Sequence, residues 1–195
     1  MGNLRVITGK AKGHTLQSVP GDITRPIMDR VKESLFNILG ADIRGATMLD
    51  LFGGTGAVGI EALSRGAELV RFVDNHPLAI RTIRSNLEKT DLADDAEVWH
   101  RDAFDLLEEE ADRSFDYVYI APPQYKRLWL RALRKLDNRP QWLTEYAWVI
   151  VQIDPVEEEP VELKNLQEFD RRQYGSTLLL FYILPPRHDH EGTEA

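Results

Sequence analysis

Short apolar runs and helix-spaced apolar positions alternate along most of the chain. The run from Ala46 to Phe52 predicts a first buried strand, which turns through glycines into a helical pattern from Gly56 to Arg65, ended by Gly66. Further strands are predicted over Glu68 to Asp74, Ala96 to His100, Phe115 to Ala121 and Tyr146 to Ile153. Between them, Ile80, Ile83 and Leu87 behind Pro77 mark the inner face of one helix, Leu106 and Leu107 that of a short one, and Leu128, Ala132, Leu133 and Leu136 that of a third. Upstream, Met28, Val31, Leu35, Ile38 and Leu39 recur at helical spacing and predict a helix leading into the first strand. Glu168 to Tyr174 and Thr177 to Leu184 flank Gly175-Ser176, the spacing of a terminal hairpin expected to add one antiparallel edge strand. Strands alternating with helices predict an α/β fold, a doubly wound, mostly parallel sheet of seven strands.

Asn3 to Val19 breaks this rhythm, because short apolar groups flank Gly9-Lys10-Ala11-Lys12-Gly13, the pattern of a hairpin with a basic turn. Three units follow: a basic N-terminal hairpin over 1–22, a main domain over 23–186, and a polar, disordered tail over 187–195. Net charge is −8, yet residues 1–40 carry +3 and the remainder −11, so a basic lobe suited to phosphates sits on an acidic body. The chain has no cysteine, which excludes thiolate nucleophiles, disulfides and thiolate zinc sites. Its longest strongly apolar run, Leu178 to Leu184, is too short to span a bilayer, and the N-terminus has no apolar signal segment. A cytoplasmic protein is expected, by default a monomer.

The candidate chemistry gathers at the strand ends. Gly54, Thr55, Gly56 and Gly59 satisfy a G-x-G-x-x-G spacing between strand and helix, where a Cβ would keep the backbone away from a ligand. Asp50 precedes that turn and Asp74 ends the next strand, placed to accept both hydroxyls of a ribose. The pair suggests an adenosine-containing cofactor; the bland alternative makes both acids turn or capping residues, and Asp102 is equally a helix cap or a ligand group. A dinucleotide-dependent oxidoreductase would satisfy the same spacing. The fourth strand exits through Tyr119-Ile120-Ala121-Pro122-Pro123-Gln124-Tyr125, in which two prolines stiffen the chain and leave the carbonyls of Ala121 and Pro122 free to accept. Rigid acceptors beside an aromatic ring suit the exocyclic amine of an unstacked base.

Several stretches together resemble the RsmD-type small-subunit ribosomal RNA guanine methyltransferases, which share the class I S-adenosylmethionine-dependent fold. They are Arg5 to Gly9, Thr24-Arg25-Pro26, Asp29 to Asn37, Asp50 to Gly56, Gly59 to Gly66, Val73-Asp74 and Tyr174-Gly175. The resemblance covers Arg5 to Tyr182. It implies methyl transfer from S-adenosylmethionine to the 2-amino group of one guanine in 16S rRNA, free or in an assembling 30S particle, without a metal or a membrane. By the same resemblance, Asp50 with Gly54 and Gly56 holds the amino acid end of the cofactor, and Phe52, Gly53, Asn75 and Ala103 are further cofactor-binding residues. Asp74 takes the ribose, Asp102 the adenine amino group, and Arg25 with its neighbours closes over the cofactor. Arg5, Lys10 and Lys12 meet RNA phosphates. The catalytic segment is Ala121, Pro122, Pro123, Gln124 and Tyr125, and here the chain departs from the family, which has Asp or Asn, two prolines and then an aromatic. Ala121 lacks the acceptor that would orient the amine, a loss of about two to four kcal/mol of barrier where one positioned group acts alone. Backbone carbonyls with a shifted Gln124 or Tyr125 replace it, or the chain is a catalytically silent RNA-binding relative; a methyltransferase for another nucleic-acid amine is a further alternative.

Overall fold

The computed structural model describes residues 4–21 and 27–186. Arg25, expected to close over a cofactor, and the tail over 187–195 lie outside the described residues. Strands β1 (Thr47–Asp50), β2 (Leu69–Asp74), β3 (Ala96–His100), β4 (Phe115–Ile120) and β5 (Leu143–Ile153) run parallel. With β6 (Gln167–Tyr174) and β7 (Thr177–Ile183) they form one seven-stranded sheet in the order β3-β2-β1-β4-β5-β7-β6. Helices α1 (Asp29–Leu39), α2 (Ala57–Ser64), α3 (Pro77–Thr90), α4 (Ala103–Leu106) and α5 (Leu128–Asn138) cover the two faces.

Strand alternation divides the core. Met48, Tyr117, Tyr119 and Ile150 point to the face covered by Val31, Leu35, Ile60 and Ile83, whereas Leu49, Val118 and Val149 point to the face covered by Leu106, Trp129 and Leu133. Chain order runs outward from β1 through β2 to β3 and then returns to β4 on the other side of β1. Beyond the carboxyl ends of β1 and β4 lies the crevice of the switch point, where such sheets bind ligands.

Two expectations are corrected. The antiparallel strand of the terminal hairpin, β7, is interior: it pairs antiparallel with both β5 and β6, so the edge strand is β6, running with the parallel set. The physical reason is burial, since β7 is apolar from Leu178 to Ile183 while β6 is polar and exposed along most of its length. The N-terminal segment folds back through Val6 N–H to His14 O (2.9 Å) and Leu16 N–H to Leu4 O (2.7 Å), but among the described residues one antiparallel bridge, Arg5 with Thr15, forms there rather than two paired strands. Further bonds go to α2. Glu61 accepts from the backbone N–H groups of Ile7 (2.8 Å) and Thr8 (3.0 Å), and Ser64 Oγ accepts from Ala11 N–H at 3.0 Å.

Glu61 is fully buried and also meets Arg65 at 2.8 Å and Lys32, itself fully buried, at 3.4 Å. Burial lowers the Lys32 pKa, against the pull of Glu61. This carboxylate therefore fastens the N-terminal segment, α1 and α2 together.

Candidate functional site

The cavity is built from the turn after β1. Gly53 N–H donates to Val73 O at 2.9 Å, and Gly54 N–H donates to Asp74 Oδ2 at 2.9 Å, so the end of β2 holds the turn in place. Gly54 and Gly56 have φ of +55° and +79°, the left-handed region that favours glycine. Gly59 serves packing: a Cβ there would lie 2.3 Å from Cε1 of Phe72. Asn86, fully buried on α3, donates to Thr55 O at 2.9 Å and closes the far side of the turn.

These elements frame a cavity of about 870 Å³ at the carboxyl ends of β1, β2 and β4. Asp50, Phe52, Gly53, Gly54, Asp74, Asn75, Asp102, Ala103 and all five residues from Ala121 to Tyr125 line it. Gly56 does not; a Cβ there would meet Ile60 and Ile83, so it shapes the turn from behind. Arg5, Lys10 and Lys12 lie away from the cavity, Arg5 paired with Asp29 at 3.1 Å and the two lysines exposed on the N-terminal turn.

The three acids differ in environment. Asp50 is 2 % exposed, and its Oδ1 is buried without a hydrogen-bond partner among the described residues. Burial, reinforced by the charge of Asp74 and partly offset by the Phe52 backbone N–H, pushes its pKa up to about 7. Such an acid calls for a cationic partner. Asp74 accepts from Gly54 N–H with Oδ2 and from His76 N–H with Oδ1 (2.8 Å), leaving each oxygen further acceptor capacity. Asp102 caps α4 with Oδ1, which accepts from Phe104 N–H at 2.8 Å, while Oδ2 accepts from Asn75 Nδ2 at 3.3 Å. Cap and cavity wall are thus the same residue.

The Ala121 to Tyr125 segment leaves β4 over the cavity and then reverses. Tyr125 has φ of +64° and is 67 % exposed; its N–H donates to Glu157 Oε1 (2.6 Å) and its hydroxyl to Asp154 Oδ2 (3.2 Å). Arg127, with φ of +53°, pairs with Glu159. Two left-handed non-glycine residues within three positions mark a loop held in shape by its surroundings.

Other lining residues were not singled out from the sequence: Ile27, Phe104, Arg131 and Gln152. Phe104 packs edge-on to Phe52 at 5.9 Å, and the Arg131 guanidinium lies 3.9 Å from the centre of its ring. Gln152 had a signal, the one polar residue within the apolar stretch Ala147 to Ile153.

Comparison with known proteins agrees with this architecture. A family model described as Conserved hypothetical protein 95 matches residues 4–183. YlbH of Bacillus subtilis, provisionally named an rRNA methyltransferase, is 40% identical over 181 residues, covering 92% of this chain and 98% of its own. Ribosomal RNA small subunit methyltransferase D of Haemophilus influenzae is 33% identical, over 78% of this chain and 80% of its own. Among solved structures, an Escherichia coli protein provisionally named methyltransferase yhhF superposes with a TM-score of 0.84 at 28% identity, covering 94% of this chain and 99% of that one. An RNA methyltransferase of Salinibacter ruber, crystallised with S-adenosyl-L-homocysteine, shares the fold at a TM-score of 0.60 and 18% identity, over 86% and 98% of the two chains. With the glycine turn, the acids of β1 and β2 and the Pro-Pro exit in place, the chain belongs to the Conserved hypothetical protein 95 family, the RsmD-type methyltransferases.

Proposed function

We propose that the chain transfers a methyl group from S-adenosylmethionine to the exocyclic 2-amino group of a guanine in small-subunit rRNA, free or within an assembling 30S particle. The observation that carries this reading is Asp50, a buried acid with an orphaned oxygen in the same cavity as a proline-stiffened strand exit. The relatives' names supply the ribosomal RNA; the resemblance to RsmD-type enzymes supplies the guanine amine.

The residues suit that donor. Asp50 would pair with the ammonium of its amino acid end, beside the backbone of Phe52, Gly53 and Gly54. Asp74 has acceptor capacity left for ribose hydroxyls, and Asp102 with Asn75 and Ala103 would meet the adenine edge against the Phe52 and Phe104 rings. When bound, the donor supplies a sulfonium methyl that an amine attacks directly. The protein's part is then to place the amine, and a backbone carbonyl of the Ala121-Pro122 exit accepts from one of its N–H groups and helps hold it in line. Residues 23–186 form the methyltransferase domain; residues 1–22 form a basic unit whose Arg5, Lys10 and Lys12 contact phosphates. The protein acts as a cytoplasmic monomer that uses no metal.

The test is transfer of radiolabelled methyl from S-adenosylmethionine to small-subunit rRNA, naked and in partially assembled particles, beside an Asp50→Asn control. Incorporation at the 2-amino group of a guanine, lost in the control, supports the proposal. Binding of S-adenosylhomocysteine without transfer to either substrate refutes it and favours a silent relative or another amine.

A further inference from the structure

Ala121 ends the strand exit on the cavity without a side-chain acceptor, where the resemblance noted above implies an Asp or Asn. Neither neighbour in sequence replaces it in kind: Gln124 lies beyond two prolines, and the Tyr125 hydroxyl is engaged by Asp154. The adjacent strand does. In the parallel pairing of β4 with β5, Tyr119 is level with Ile150 and Ile120 with Val151, which sets Ala121 beside Gln152 at the next step. Residues level with each other on neighbouring parallel strands project to the same face, about 4.8 Å apart. Ala121 and Gln152 both line the cavity, together with Tyr119 and Asp50. The Tyr119 hydroxyl, two residues before Ala121 and on the same face, donates to Gln152 Oε1 and so fixes the orientation of the carboxamide.

Resting on the reading above, we propose that Gln152 supplies the carboxamide that receives the target amine, across the sheet from the position left empty by Ala121. Gln152 Oε1 keeps a lone pair for an amine N–H after taking the Tyr119 hydroxyl, and its Nε2–H groups can donate to a neighbouring ring nitrogen. Guanine presents that pair at its 2-amino group and N3, which makes the carboxamide a selector for an amine beside a ring acceptor. The transfer forms a nitrogen–carbon bond on the base and breaks the donor's carbon–sulfur bond, whose electron pair stays on sulfur. The surplus proton on the methylated nitrogen leaves to water. Gln152 touches the amine throughout and is neutral before and after; Tyr119 acts through it as a positioning residue.

The experiment compares wild type, Gln152→Leu, Gln124→Leu and Gln152→Leu combined with Ala121→Asn, using small-subunit rRNA and S-adenosylmethionine. Gln152→Leu is expected to lower kcat about 100-fold, the effect of removing one positioned polar group, with little change in KM. S-adenosylhomocysteine affinity by calorimetry should stay at the wild-type value. Adding Ala121→Asn should recover at least about tenfold of the lost rate, which no merely structural role would produce. Should Gln152→Leu not fold, Gln152→Met carries the same expectations. Full activity in Gln152→Leu, weakened S-adenosylhomocysteine binding in it, or a collapse in Gln124→Leu alone would each overturn the proposal. A wild type that transfers no methyl would instead refute the function, so the two failures are distinguishable.

Discussion

Asp50→Asn removes the most perturbed acid of the cavity, and its effect on stability can be worked from the structure. The carboxyl is 2 % exposed, and its pKa rises from an ordinary 3.8 to about 7 on folding. The folded chain therefore binds this proton more tightly than the unfolded chain. That contribution favours the fold fully below pH 3.8 and is lost as the pH climbs to about 7, at about 1.4 kcal/mol per pH unit. From pH 5 to pH 8 the loss amounts to about 3 kcal/mol, or about 6–12 °C in Tm for a domain of this size. Asparagine cannot ionise, so this pH dependence should vanish in the variant while other groups titrate unchanged. At pH 8 the variant should be the more stable protein, by the removed charge cost of about 4 kcal/mol less about 1–3 kcal/mol for an unsatisfied amide. Scanning calorimetry of both proteins from pH 5 to pH 8 reads the difference directly. The same acid should make binding of S-adenosylhomocysteine weaken about tenfold per pH unit below pH 7 in wild type but not in the variant. Parallel Tm curves for the two proteins, with an equally flat binding profile, would show that Asp50 is already satisfied and remove the argument for an ammonium partner.

Three further outcomes follow from other parts of the molecule. Gly59→Ala drives a methyl group to 2.3 Å from the Phe72 ring and should cost about 3 kcal/mol in urea denaturation; a loss below about 1 kcal/mol would mean that α2 can lift off β2 freely. Glu61→Gln leaves buried Lys32 without its counter-charge and should destabilise by about 3–5 kcal/mol, with faster amide exchange at Ile7 and Thr8, whose bonds it weakens. Unchanged exchange there would show that the N-terminal segment is held by other contacts. Lys10→Glu combined with Lys12→Glu should weaken rRNA binding and flatten the logarithmic salt slope by about 1.4, since both lysines are exposed on the N-terminal turn. A slope equal to that of wild type would place the RNA elsewhere.

Much of the fold was legible because burial imposes periodicity. Runs such as Leu69 to Val73 are buried on both faces and read as strands without further help, and the glycine turn declares itself by chemistry that only a close-packed turn needs. The order of the last two strands was missed, although its signal was present: a strand that is apolar along nearly its whole length has a neighbour on each side, as β7 does, and a polar one ends the sheet, as β6 does. The cavity was legible where residues are adjacent in sequence to a turn and illegible where they come from across the sheet. Gln152 and Arg131 meet the site only because β5 and α5 pack beside β4, a relation set by tertiary pairing that local pattern does not encode. The N-terminal segment shows the opposite limit. Its alternation was real, yet the donors of Ile7 and Thr8 meet a buried carboxylate on α2 while Val6 and Leu16 bond across the segment.

Asp74 joins the two readings that the sequence left open. As a turn residue it accepts from Gly54 and His76, fixing both the glycine turn and the start of α3. As a ribose acceptor it needs free lone pairs aimed into the cavity, and an ionised carboxylate with one bond on each oxygen retains them. The roles are therefore one: the bonds that position the carboxylate also hold the turn that frames the cavity. It follows that Asp74→Ala is a poor probe of ribose contact, because it strands two backbone N–H groups as well, each at about 1–3 kcal/mol. Asp74→Asn keeps one acceptor and separates the roles. If it preserves Tm within a few degrees and still weakens S-adenosylhomocysteine binding at least about tenfold, the carboxylate serves the ligand beyond the turn; if binding falls only as far as stability does, the turn accounts for all of it.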